Sequence, residues 1–92
     1  MTKHVLKIWP EYYDAVANGI KTFEIRKNDR DFKIGDTIRL REYNSAMETE
    51  IDAERYTGRD IKVCVVYMLT SMDYPSGIPE GYCILGIRVI GC

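Results

Sequence analysis

A chain of 92 residues forms one domain, with room for a modest core and not for two. With 46% hydrophobic and 29% charged residues its composition is that of an ordinary globular protein, and the formal net charge of -1 argues against a bulk polyanion binder. No apolar run approaches the ~18 residues of a membrane helix, and the N-terminus lacks the basic, apolar, small-residue series of a signal peptide, so a cytoplasmic protein without a membrane partner is expected.

Residues His4 to Trp9 alternate as a strand, with Leu6 and Ile8 on one side and Val5, Lys7 and Trp9 on the other. Pro10 suits the first turn of a helix, where its missing N–H would have no intrahelical partner. Tyr12, Tyr13, Val16 and Ala17 supply the helical stripe, and Gly19 ends it. The next strand, entered at Lys21, puts Phe23 and Ile25 on an apolar face expected to be buried, and Thr22, Glu24 and Arg26 on the other. Asn28 to Lys33 reads as a charged loop and Ile34-Gly35-Asp36 as a turn. Thr37 to Tyr43 is a third strand, with Ile38 and Leu40 inward and Arg39 and Arg41 opposite.

Asn44 to Asp60 lacks a clear period and reads as a long excursion with a helical turn near Glu50 to Arg55. Ile61 to Thr70, β-branched and nearly continuous, is the central strand. Ser71 to Gly81 carries Pro75, Gly77, Pro79 and Gly81 and cannot be regular structure. Tyr82 to Ile90 closes the chain as a strand with Leu85, Ile87 and Val89 inward. Strands outnumber helices and loops join them. The expected class is α+β, mainly β: a small, mostly antiparallel barrel of about five strands, with one N-terminal helix plugging an opening.

Cys64, Cys83 and Cys92 are odd in number and lack C-x-x-C spacing, which speaks against a disulfide framework or a zinc site. Cys64 and Cys83 fall in strand-like runs and are expected to be buried or half-buried. His4 is the only histidine, which speaks against Ser-His-Asp and Cys-His dyads of the common kind and leaves no multi-histidine metal site. Glu24 and Asp29 are too few ligands for metal-assisted hydrolysis, and neither a metal nor a cofactor is expected. Basic residues concentrate from Lys21 to Arg41 and acidic ones from Glu42 to Asp60, so a basic cleft can exist on a nearly neutral protein.

The stretch Gly19-x-Lys21-x-x-Glu24-x-Arg26 aims a lysine, a carboxylate and an arginine at a common space. By spacing alone a solvated face with a Glu–Arg pair is the plainer reading. The stretch also matches the G-x-K-x-x-E-x-R signature of ASCH domains in the PUA-like superfamily. Leu6-Lys7-Ile8-Trp9-Pro10, the Arg26-Lys27-Asn28-Asp29-Arg30-Asp31-Phe32 run, Ile34-Gly35-Asp36, Tyr56-Thr57-Gly58-Arg59 and Gly81-Tyr82-Cys83-Ile84-Leu85-Gly86-Ile87 resemble a small bacterial and phage-borne subfamily of unknown function. The resemblance spans nearly all of residues 1–92 and implies a single PUA-like β-barrel domain.

In the ASCH group this cleft is thought to accept nucleic acid or a nucleoside, which points to Lys21, Glu24 and Arg26. Glu24 can hold both cations while their remaining donors serve a ligand. Lys7 and Trp9 leave the first strand beside the helix entrance; Trp9 can stack a base, although core packing is the preferred reading. Arg39, Arg41 and Arg59 are candidates to extend a phosphate track. Tyr74 and Tyr82 flank the Pro/Gly loop as possible pocket walls, whereas Tyr67 is expected to be structural.

The resemblance also brings an alternative. Some ASCH-type proteins are amidohydrolases acting on acylated cytidine, with a threonine nucleophile at the position of Glu24, a lysine matching Lys21 and a glutamate from a later insertion. This chain has a glutamate at position 24, and its short Ser71 to Gly81 loop supplies only Glu80. A Lys21-activated Thr22 is chemically imaginable and disfavoured. The expected function is therefore a monomeric RNA-binding or nucleotide-like-ligand-binding module, with a nucleoside-directed hydrolase using Lys21 and Glu24 as the rival. A deep, closed pocket would favour the enzyme, and an open groove with a basic flank would favour RNA.

Overall fold

A computed structural model gives the fold of residues 1–90. Five strands, β1 (Lys3–Ile8), β2 (Phe23–Lys27), β3 (Thr37–Tyr43), β4 (Tyr56–Thr70) and β5 (Tyr82–Val89), form one curled sheet in the order β1-β3-β4-β5-β2. Only β1 and β3 run parallel; the other neighbours are antiparallel. The result is a half-barrel with β1 and β2 as its free edges, facing each other across a seam. Helix α1 (Pro10–Ala17) connects these two edges and packs Tyr13 and Val16 against the concave side. Cys92 lies outside the described residues.

The concave face is the core. Leu6 and Ile8 of β1, Ile38 and Leu40 of β3, Val63 and Val65 of β4, and Cys83, Leu85 and Ile87 of β5 are all buried there. Alternation of period two explains these positions strand by strand. Phe32, from the loop after β2, plugs one end and lies 4.7 Å from the His4 ring. His4 in turn meets Asp36, whose other bonds come from the backbone N–H groups of Thr2 and Lys33. This buried carboxylate pins the starts of β1 and β3 together. The His4 hydrogen bond holds its pKa below the ordinary carboxylate value, outweighing the opposing effect of burial.

At the other end, buried Glu42 accepts two bonds from Arg59 and one from the Thr57 hydroxyl. The Arg59 hydrogen bonds lower the Glu42 pKa against the cost of burial. Arg59 also lies over the Tyr13 ring and reaches Asp14, locking the helix to the sheet. Arg59 is thereby engaged in structure, away from the other candidate cations Arg39 and Arg41.

Several details differ from the pattern of the sequence. Strand β4 begins at Tyr56, not Ile61, because Tyr56 to Asp60 continue the pairing with β3 past a register shift at Arg41/Tyr43. The helical turn falls at Asp52–Arg55, inside the expected stretch. Tyr12 and Ala17 are exposed, so the buried helical stripe narrows to Tyr13 and Val16, as suits a two-turn helix crossing one opening. Val89 is exposed at the end of β5, though still paired with Val63, and Cys83 takes the inward place at the strand's start. Cys64 is half-buried and Cys83 buried.

The largest difference concerns β2. Phe23 and Ile25, expected inward, are 47% and 62% exposed, while Glu24 is 7% exposed. The alternation is as read from sequence, but the sheet is turned the other way: the charged side of β2 faces the interior of the seam.

Candidate ligand cleft at the seam

The positions of Lys21, Glu24 and Arg26 follow from how α1 ends. Gly19 adopts φ +73°, where a side chain would be strained, and the chain turns so that the N–H groups of Ile20 and Lys21 both bond the Ala15 carbonyl. Lys21 is thus fixed to the helix end before β2 starts. Strand β2 is held only through β5, with Glu24 opposite Leu85 and Arg26 opposite Cys83. Its inward residues meet no further strand. They meet the seam.

There the three side chains form a chain of ion pairs. Lys21 Nζ donates to Glu24 Oε1 at 2.6 Å and to the Phe23 carbonyl at 2.7 Å. Arg26 Nε donates to Glu24 Oε2 at 3.3 Å, and its Nη2 donates across the seam to the Lys7 carbonyl. Arg30 makes the same crossing, Nη1 to the Val5 carbonyl at 2.9 Å. Two arginines therefore occupy carbonyls on the free edge of β1, an edge otherwise open to strand addition. They bridge the half-barrel without closing it.

The resulting cleft has a volume of about 490 Å³. Glu24 and Arg26 form its floor with Ile8, while Trp9 and Tyr12 stand on one rim and Phe23 and Ile25 on the other. Lys21 lies between the Tyr12 and Phe23 rings, 5.5 Å and 5.1 Å from their centroids. Trp9 is 40% exposed and leans on Tyr43, so the core-packing expectation for it does not hold; the seam leaves it nothing to be buried under. Buried carboxylate, fixed cations and a partly exposed aromatic rim make a site able to take a flat, polar ring and an anionic group together.

Five of the predicted site residues, Lys7, Trp9, Lys21, Glu24 and Arg26, line this cleft. Arg41 stands outside it on the convex face, opposite Lys7 and stacked 3.9 Å above the Tyr56 ring. Tyr82 is remote from it, on the convex face of β5 opposite Lys27. Tyr74 packs on Gly77 within its own loop, so closely that a Cβ at Gly77 would lie 2.0 Å from the ring, and it is not part of the cleft lining. Tyr67 is 62% exposed and not a core residue, because the register shift between Val65 and Tyr67 turns it outward. Thr22 does not share a cleft with Glu24: it lines a separate groove of about 590 Å³ between the end of α1 and β5.

The sequence pattern does not show Tyr12, Phe23 and Ile25 as rim residues. The apolar character of Phe23 and Ile25 points to the core. Tyr12 falls in the helical stripe, although Pro10 at the first helical position fixes the turn on which it projects toward Lys21. Among the described residues no cluster of three or more His, Cys, Asp or Glu side chains could hold a metal.

Fold and cleft together define a class: an α+β half-barrel of five strands with a charged cleft at its one seam. Residues 3–87 match the family described as a domain of unknown function, DUF3850, and the chain belongs to that family. It is 30% identical over 88 residues to an uncharacterized 12.9 kDa protein in the GpA 3′ region of Escherichia phage P2, covering 96% of this chain and 69% of that protein. Its fold is similar to the crystal structure of the hypothetical protein PH0355, with a TM-score of 0.61 at 17% identity, covering 96% of this chain and 99% of the other.

Proposed function

We propose that the protein is a binding module for RNA or a nucleotide-like ligand, an ASCH-type PUA-like domain that acts as a monomer through the seam cleft. The observation that carries this reading is the Lys21–Glu24–Arg26 chain of ion pairs, buried at its centre and rimmed by Trp9, Tyr12 and Phe23. Glu24 occupies two of the three ammonium donors of Lys21 together with the Phe23 carbonyl, which leaves one N–H for a ligand. Arg26 keeps its Nη1 donors. Donors held by a carboxylate beside aromatic faces suit a base that stacks and hydrogen-bonds at once, with a phosphate nearby. A cytoplasmic location accords with this ligand class.

A hydrolase reading has the 2.6 Å Lys21–Glu24 contact in its favour, a pair able to move a proton. Both oxygens of Glu24 already accept bonds, however, and Thr22 lines a groove that has Lys21 but not Glu24 in common with the cleft. The test measures binding of mononucleotides and short single-stranded RNA to wild type, Arg26→Ala and Lys33→Ala. Lys33 pairs with Asp31 outside the cleft. Arg26→Ala should weaken binding at least tenfold and Lys33→Ala hardly at all. Equal losses, or hydrolysis of acylated cytidine that vanishes in Glu24→Gln, would overturn the binding-module reading.

A further inference from the structure

The convex face of β1, β3 and the first half of β4 carries a charge distribution that folding does not account for. Pairing aligns Val5 with Arg39 and Lys62 in one row, and Lys7 with Arg41 and Asp60 in the next. Lys3 precedes them on the same side of β1. Five cations therefore share the convex side of three adjacent strands with one strand carboxylate, Asp60, which pairs with Arg39 at 2.5 Å, while Asp52 meets the bank through the Tyr43 hydroxyl. Two of the cross-strand pairs, Lys7–Arg41 and Arg39–Lys62, are like-charged, an arrangement that weakens a sheet.

Two of these cations are nevertheless held over aromatic rings. Lys7 Nζ sits 4.1 Å over the Tyr43 ring and Arg41 lies 3.9 Å over the Tyr56 ring, and the two rings contact each other edge to face at 5.0 Å. An aromatic face positions a cation without neutralising it. The bank is also continuous with the cleft, because Lys7 belongs to both. A local departure from favourable charge pairing, preorganised and joined to a site, marks a surface made for an anionic partner.

We propose that this convex bank is the phosphate track of a single-stranded nucleic acid whose unpaired base occupies the seam cleft. The inference rests on the reading of the cleft as a nucleotide site and specifies its ligand as a polymer and not a free nucleotide. Alternate cations along one strand recur every ~6.6 Å, and neighbouring strands add a second dimension, so the bank follows a backbone through several residues. The recessed Glu24 requires a base free of its pairing partner, which excludes an intact duplex. Direct phosphate contacts of this kind fix position and carry no sequence information.

The experiment titrates the full chain with a 5′-mononucleotide mixture, a 12-nucleotide single-stranded RNA, the corresponding duplex and anionic phospholipid vesicles, at several salt concentrations. The variants are Lys3→Gln/Arg39→Gln/Lys62→Gln, none of which lines the cleft, and Asp60→Asn, which removes the bank's one strand carboxylate. The triple variant should bind single-stranded RNA at least tenfold more weakly, with a log–log salt slope reduced by about two, since each phosphate contact on a single strand contributes roughly 0.7. Its mononucleotide affinity should stay at the wild-type value. Asp60→Asn should tighten RNA binding by about threefold, a gain that a misfolded protein cannot give. An unchanged RNA affinity and slope in the triple variant, with mononucleotide binding intact, would overturn the track and leave the cleft reading standing. A preference for duplex, or vesicle binding lost in the triple variant without an effect on RNA, would also overturn it. Absence of both mononucleotide and RNA binding in wild type would remove both readings together.

Discussion

The convex surface of the half-barrel has two banks of opposite leaning. On β1, β3 and the first half of β4 it presents Lys3, Lys7, Arg39, Arg41 and Lys62 around Val5; on β2, β5 and the second half of β4 it presents Phe23, Ile25, Tyr67 and Tyr82 beside Lys27. Both lie over the same apolar interior, and the seam runs where they meet on the open side. Apolar character and burial are therefore separable in this fold. On the basic bank, polar side chains point outward and the core lies beneath, as alternation predicts. On the other bank the interior side of β2 is charged, so its apolar residues are left outside.

Stability experiments sharpen this contrast, and the largest effect belongs to the interior that the banks share. Leu40 lies fully buried beneath the basic bank and Leu85 beneath the apolar one. Leu40→Ala and Leu85→Ala should each cost about 2–5 kcal/mol in urea unfolding, through lost burial and the cavity left behind. Both should melt in a single transition; two transitions would mean that the halves fold separately.

An acid effect comes next. Asp36 and Glu42 both have carboxyl pKa values held below the ordinary range in the folded state, by His4 and by Arg59 respectively. A depressed folded pKa gives stability that is present above the unfolded value, near 4, and is lost as pH falls through the folded one. Thermal midpoints should therefore fall steeply below about pH 4, and Asp36→Asn should lower the midpoint at neutral pH while flattening that acid limb. An acid limb of unchanged steepness in Asp36→Asn would contradict the clamp.

The smallest effect is expected on the apolar bank. Ile25→Thr keeps a β-branched side chain at an exposed position, so unfolding free energy should change by less than about 0.5 kcal/mol. A loss like that of Leu40→Ala would restore Ile25 to the core and overturn the orientation of β2.

Much of this architecture is legible in the sequence, for reasons that can be named. Strands β1 and β3 have one apolar and one mostly polar side and bury the apolar one, β5 buries Leu85 and Ile87 as its alternation indicates, and Pro10 and Gly19 bracket the helix. The Lys21, Glu24 and Arg26 cluster is legible as well, because alternation places Glu24 and Arg26 on one side whichever way the strand faces. Which side faces inward is not legible. Alternation fixes relative orientation only, and hydrophobicity then selects Phe23 and Ile25 for a core that β2, an edge strand paired on one side, does not complete. Tyr67 was misplaced for a related reason: a register shift changes the parity of the strand and leaves no mark in the composition. Arg59 looked like a free cation because its partner Glu42 is 17 residues away in sequence.

The measurement that bears most directly on the cleft is a map of backbone and Trp indole NMR shifts during titration with a 5′-mononucleotide. Shifts should concentrate at Lys7, the Trp9 indole and residues Lys21 to Arg26, with the Val16 to Gly19 and Arg88 groove and the Tyr67 and Tyr82 surface unmoved. Shifts centred on that groove or on the apolar bank, with the Trp9 and Glu24 signals static at saturation, would contradict the cleft as the ligand site.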